Sequence, residues 1–239
     1  VNRLFGILPL SLWIPYDRFR DLHLTHHVND RLTDPIDDPE SNYVTPEAWQ
    51  RRSSFARWIF EVQLTLAGRM LIGSWWRIGW FLHSEARAFA RNEPGVRAAW
   101  ITHLMLCVPV VYWVTVVCDI PLWLYIVAIV IPGNAILLIR SFAEHRARVD
   151  VNERTTTVED AWLLGPLFLF NNLHSLHHAE PGLPWYRYNA RYRVRRDCLL
   201  VENGGQVYAT YFEVARRFLF RMHDQPQHPL GRAPSRRAA

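Results

Sequence analysis

Two uncharged apolar runs, separated by almost nothing, limit what this chain can fold into. From Ala98 to Cys118, 21 residues pass without an Asp, Glu, Lys or Arg, and 20 more do so from Ile120 to Ile139. As a helix rising 1.5 Å per residue, either run reaches across a hydrocarbon core of about 30 Å. Two such helices inside a soluble protein need a large apolar surround, which a chain of 239 residues is too short to supply. The runs therefore read as a transmembrane hairpin closed by the turn Cys118-Asp119-Ile120-Pro121. Arg87, Arg91 and Arg97 precede it and Arg140, Arg146 and Arg148 follow, so the positive-inside bias puts both ends in the cytoplasm.

The mean hydropathy near zero is then an average over segregated segments. Arg57 to Leu82 is rich in Trp and other apolar residues, but Glu61, Arg69 and Arg77 interrupt it. It reads as an interfacial helix with snorkelling arginines. Leu4 to Trp13 is too short to span, is broken by Pro9, and reads the same way. Trp162 to Phe170 is a short apolar patch, and Val207, Tyr211, Val214 and Phe218 recur at helical spacing, as in a helix that docks on the body or the membrane surface. The expected fold class is all-α: an integral-membrane helical protein with one transmembrane hairpin, interfacial helices and a cytoplasmic cap. Residues 1–223 form that membrane domain, and 224–239, with three prolines and three arginines, read as a disordered basic tail. All 27 basic residues are Arg. A nucleic-acid partner for that tail is discounted because of the two spans. Cys107, Cys118 and Cys198 lack C-x-x-C spacing, which argues against a disulfide framework or a thiolate zinc site.

Two boxes carry the chemistry. His23-Leu24-Thr25-His26-His27 and His174-Ser175-Leu176-His177-His178 are both H-x-x-H-H. On a helix, positions i, i+3 and i+4 share a face, so each box aims three imidazoles at one point. Six convergent imidazoles exceed what one tetrahedral metal uses, so two metals are the natural count, and iron, zinc, copper and nickel all suit imidazole. His145 follows the second span closely and reads on position alone equally as a ligand or a snorkelling residue. His83, His103, His223 and His228 read as surface or hydrogen-bonded core residues. Asp34, Asp37, Asp38 and Glu40 are either carboxylates orienting the imidazoles or a solvated acidic turn. Asn171 is either a partner for a metal-linked water or a helix N-cap.

The boxes resemble those of the integral-membrane fatty acid desaturase superfamily, which includes alkane and carotenoid hydroxylases and ketolases. Arg20 to His27, followed by Thr33-Asp34-Pro35 and Asp38-Pro39-Glu40, is similar to the second box of bacterial members. Asn171 to His178, with Pro181 and Pro184-Trp185-Tyr186, is similar to the third, and Ser141 to His145 to the segment that supplies one further ligand. The resemblance implies a di-iron centre held by His23, His26, His27, His145, His174, His177 and His178, with no catalytic residue beyond those ligands and no other cofactor site. It implies O2 as co-substrate, an external electron donor (a ferredoxin or similar), a membrane lipid or acyl substrate, and a bacterial inner-membrane location with boxes and C-terminus cytoplasmic.

The expected activity is a fatty acid (acyl-lipid) desaturase; a carotenoid or alkane-type hydroxylase or ketolase is the alternative within the superfamily. Alkane hydroxylases carry Gly in the second box where Thr25 stands here. A non-catalytic His-rich metal-binding membrane protein is the alternative from another class. The arginine-rich stretch from Arg187 to Arg196, with Arg146 and Arg148, suits phospholipid headgroups or an acidic electron donor. The family's first box, H-x-x-x-H or H-x-x-x-x-H, does not occur before His23, and residue 1 is Val. The expectation is an N-terminally truncated chain whose first box lies upstream.

Overall fold

The structure is a computed structural model that describes residues 2–230. The helices are α1 (Asn2–Gly6), α2 (Tyr16–His26), α3 (Pro46–Gln50), α4 (Ser54–Gln63), α5 (Leu66–Gly68), α6 (Ser74–Ala90) and α7 (Val96–Tyr112). They continue as α8 (Leu122–Tyr125), α9 (Ile131–Ala143), α10 (Leu164–Leu167), α11 (His174–Ala179), α12 (Tyr188–Glu202) and α13 (Tyr211–Phe218). Single π-helical turns extend α7 and join α8 to α9, giving two continuous helices, Val96–Val117 and Leu122–Ala143. Both are long and apolar enough to cross a membrane, and only 17% and 22% of their apolar windows are buried, so neither is the covered core helix of a soluble protein. The chain divides into two compact units, Val1–Leu24 with Leu71–Ile136, and Thr25–Met70 with Leu137–Ala239.

In the first unit, Glu85 on α6 is the buried knot. Arg18 on α2 donates two bonds of 2.7 Å to its carboxylate, and the Trp100 indole on α7 donates a third of 2.9 Å. A buried carboxylate that accepts a bidentate guanidinium and an indole N–H has its charge compensated, so the pair fixes how three helices meet. At the hairpin turn, Val114, Tyr125 and Val130 form a small core with Leu12, Trp13 and Ile120. The Tyr125 hydroxyl donates to the Leu10 carbonyl at 2.6 Å and His103 Nε2 to the Leu12 carbonyl at 3.0 Å, so His103 is a core histidine.

The second unit is mostly helical, in line with the all-α expectation, and adds one short two-stranded sheet. β1 (Thr157–Asp160) pairs in parallel with β2 (Val207–Thr210), with Thr157 opposite Val207. The β-branched run Thr155-Thr156-Thr157-Val158 favours extended backbone, a signal that the helical reading passed over. The main core gathers Leu66, Phe142, Ala143, Val158, Phe168, Tyr208, Tyr211 and Val214. A second core buries Leu173 and Leu176 against Tyr188, Tyr192 and Leu199 of α12.

Two expectations are corrected here. The stretch 57–82 is not one interfacial helix: α4 ends at Gln63, α5 is a single turn, and a π-helical turn follows before α6. Arg69 does not snorkel. It is buried, donates to the Gln63 carbonyl at 2.8 Å and to Asn42 Oδ1 at 2.9 Å, and its guanidinium lies 5.6 Å from the Phe142 ring centre. Nor does a disordered tail begin at 224. Val44 N–H donates to Pro226 O, His228 N–H donates to Val44 O, and the buried His228 ring meets Thr33 Oγ1 at 3.3 Å. These pairs strap 226–228 to the loop that follows the box His23–His27. Residues 231–239 lie outside the described residues.

Candidate metal centre

The box His174–His178 sits on α11, a helix of six residues that needs outside support. Leu173 and Leu176, three apart, bury one side of it against α12, which leaves His174, His177 and His178 on the other. Ser175 is gripped from the strand side: Thr155 and Thr157 donate to its Oγ at 3.1 Å each, and Asn203 at 2.9 Å. Asn172 donates to the Val158 carbonyl at 2.7 Å and accepts the Val158 N–H through its own carbonyl at 2.9 Å. Asn171 is not the N-cap; that position is Leu173.

Six of the seven expected ligands come together in the second unit. His26, His145, His174 and His178 form one group whose ligand atoms all lie within 4.8 Å of one another. Nε2 of His145 is 3.0 Å from Nε2 of His26 and 2.8 Å from that of His174, which is 3.1 Å from Nε2 of His178. Beside it, Nε2 of His27 and His177 approach to 3.0 Å, and the His27 and His178 rings stack with centres 4.4 Å apart. Each box therefore divides its histidines between two groups. His23 belongs to the first unit, one helical turn before His27 on the chain, with its ring stacked on Phe19 at 5.6 Å.

In four of the six rings the other nitrogen has a polar neighbour behind it. Nδ1–H of His26 donates to Asp38 Oδ1 at 2.9 Å, and that of His145 to the Arg154 carbonyl at 3.1 Å. His177 Nδ1 lies 2.8 Å from the Tyr188 hydroxyl, and His174 Nδ1 3.2 Å from a Glu144 carboxylate oxygen. Asp38 and the Arg154 carbonyl accept and cannot donate, so they keep the proton on Nδ1 and leave the Nε2 lone pairs of His26 and His145 facing each other. Two lone pairs 3.0 Å apart repel unless a cation lies between them. Burial pushes His145, His174 and His178 well below the usual histidine range, and the neighbouring imidazoles push the same way. For His26 burial works downward too, but the Asp38 bond and the charges of Glu40, Asp38 and Glu144 outweigh it and raise its pKa. The neutral imidazoles of His145, His174 and His178, with ring nitrogens turned inward toward that of His26, fit a metal ion.

Of the acidic turn, Asp38 is the residue that orients an imidazole, that of His26; it also accepts the Thr33 and Glu40 N–H groups at 2.8 Å each. Asp34 instead caps the Ile36 and Asp37 N–H groups, a turn role. Glu40 brings a carboxylate oxygen to 4.0 Å from His26 Nε2. Sequence reasoning missed Arg154, Tyr188 and Glu144. Arg154 is buried, and besides its carbonyl on His145 it donates to the Leu32 carbonyl at 2.6 Å and the Arg148 carbonyl at 2.8 Å. Only Glu144 carried a signal, its place directly before His145.

A family model described as fatty acid desaturase matches residues 1–211. The chain belongs to the fatty acid desaturase family. It is thus an oxidoreductase of the desaturase and hydroxylase type, and the family together with the two apolar helices marks it as membrane-associated. No curated protein and no solved structure matches it. The family match spans both histidine boxes and His145. The arginines of α12 are largely spent within the protein: Arg191 and Arg195 pair with Glu180, and Arg196 with Glu159.

Proposed function

We propose that this family member is an O2-dependent acyl-lipid desaturase that holds two irons in the paired histidine groups. The observation that carries the reading is the division of each box between two groups of inward-facing ring nitrogens. The ligands are His26, His145, His174 and His178 for one iron, and His27 and His177 for the other. His23 joins them on its helical spacing to His26 and His27. Bound iron would supply the abstraction of hydrogen from an unactivated methylene, which protein side chains cannot perform. Desaturation consumes one O2, two electrons and two protons with the two hydrogens removed, and yields one double bond and two waters.

The chain's own part is orientation. Asp38 and the Arg154 carbonyl hold the His26 and His145 imidazoles in the tautomer whose Nε2 lone pair faces inward, and the Tyr188 hydroxyl fixes the orientation of the His177 ring. Burial strips water from the same rings and strengthens those bonds. The electrons come from an external donor such as a ferredoxin. In this reading Val96–Val117 and Leu122–Ala143 cross a bacterial inner membrane, with boxes and C-terminus cytoplasmic.

The test is expression of the full reading frame, with metal analysis of the purified protein and lipid analysis of the host. About two irons per chain and a new acyl double bond are expected, both lost in His26→Ala and His177→Ala. An oxygenated product instead of a double bond moves the assignment to the hydroxylases; zinc or no metal overturns it.

A further inference from the structure

The second span-length helix ends inside the second unit, and what it packs against there has a free side. Ile139, Phe142 and Ala143 share one core with Leu164 and Phe168 from the α10 region and with Tyr211, Val214, Ala215 and Phe218 of α13. Ile139 to Ala143 covers about 6 Å of helix axis at 1.5 Å per residue, so α10 and α13 lie against the last turn of that helix. Both leave large apolar side chains exposed, α13 with arginines among them. Trp162 is 78% exposed, with Leu163 and Leu167 beside it, and Phe212 and Phe220 are 78% and 80% exposed at the two ends of α13. Arg216 and Arg221 are exposed along the same stretch. Large rings and leucines left open beside arginines are costly in water and suited to the boundary between headgroups and acyl chains.

We propose that these two faces, Trp162 to Leu167 and Phe212 to Phe220, are seated in the bilayer at the level where Leu122–Ala143 leaves it. The proposal rests on reading that helix as a membrane span, and not on the desaturase assignment. The occupant is the lipid itself, because the faces are continuous through one packed core with the end of an apolar helix that the unit leaves largely uncovered. The arginines would face the headgroups.

The full-length protein, with its three native cysteines changed to Ser, would carry single NBD-labelled cysteines in phosphatidylcholine–phosphatidylglycerol nanodiscs. The positions are Leu163→Cys, Leu167→Cys and Phe212→Cys, with Val194→Cys on α12, itself 80% exposed, as the aqueous reference. Val127→Cys, exposed and six residues into the second apolar helix, reports whether that helix spans. At 163, 167 and 212 we expect blue-shifted emission, several-fold stronger quenching by shallow nitroxide lipids than at 194, and several-fold weaker quenching by iodide. Quenching at 127 by deep nitroxide lipids, with 163, 167 and 212 as open to iodide as 194, overturns the proposal and leaves the span standing; a protein partner would then be the occupant to look for. No lipid quenching at 127 removes the span and the proposal together.

Discussion

On the di-iron reading proposed above, Asp38→Asn is the change that best separates orientation of a ligand from mere charge. Asp38 is 5% exposed and accepts three N–H groups: His26 Nδ1–H at 2.9 Å and Glu40 N–H at 2.8 Å on Oδ1, and Thr33 N–H at 2.8 Å on Oδ2. An amide has one acceptor oxygen. Set toward His26, it turns its NH2 against the Thr33 N–H; flipped, it faces two donors with a donor. At least one buried N–H loses its acceptor at about 1–3 kcal/mol, and the bonds that survive lose their charge assistance, for about 2–4 kcal/mol in all. Thr33 aggravates this, because it is β-branched yet held at φ 66°, a conformation that persists only while its surroundings over-determine it. Removing the carboxylate behind a ligating His costs about 10–100-fold in metal affinity. Thermal unfolding in detergent and iron content after dialysis against a graded chelator read the two effects. Asp34→Asn is the control: its one capping oxygen survives as the amide carbonyl, so iron retention stays at the wild-type level. If Asp38→Asn keeps iron as tightly as the wild type, the carboxylate does not orient His26 and the reasoning fails.

Three further outcomes follow from the same geometry. Tyr188→Phe removes the hydroxyl 2.8 Å from His177 Nδ1 and should loosen the iron proposed for the His27–His177 side, seen as chelator release of about one iron per chain while the other stays. Arg154→Met keeps the buried stem but strands the Leu32 and Arg148 carbonyls; a loss of about 2–4 kcal/mol is expected in denaturant titrations, with His145 still bonded to a backbone carbonyl. His223 is buried, and burial, with Arg146 and Arg69 pushing the same way against Asp224, takes its pKa down to about 3. Its stabilising contribution is therefore complete above the unfolded value of about 6.5 and is lost as pH falls from there toward 3, amounting to about 2–3 kcal/mol by pH 4.5. Thermal unfolding of His223→Gln should show a shallower acid dependence between pH 6.5 and 4.5 than the wild type; an unchanged slope would refute the assignment.

Much of the site is written in short-range spacing. H-x-x-H-H puts three rings on one helical face wherever the helix is placed, and α11 shows it with Leu173 and Leu176 buried on the opposite side. The two apolar runs needed no partner to be read, because a span is defined by its own length and lack of charge. Legibility fails where the partner is remote. Asp38 could be weighed among the acidic residues near its box but not singled out, since four carboxylates in a turn look alike until one is buried against an imidazole. Tyr188 and Arg154 carry no motif: one is a tyrosine in an arginine-rich helix, the other an arginine before a run of threonines. Arg69 misled for a related reason, as a charge in an apolar stretch reads as snorkelling unless its carbonyl and amide partners are known.

The sequence by itself determined the helical character, the two span-length segments and the identity of the imidazoles, all properties of residues within a few positions of one another. Only the tertiary structure decided how those imidazoles are shared. His26 meets His145 across 119 residues and His27 meets His177 across 150, so each box is divided between two groups and neither group is local. Adjacent residues on a helix point about 100° apart, so His26 and His27 turn into different groups, and which partner each meets depends on where β1, α11 and the 226–228 strap bring the chain back.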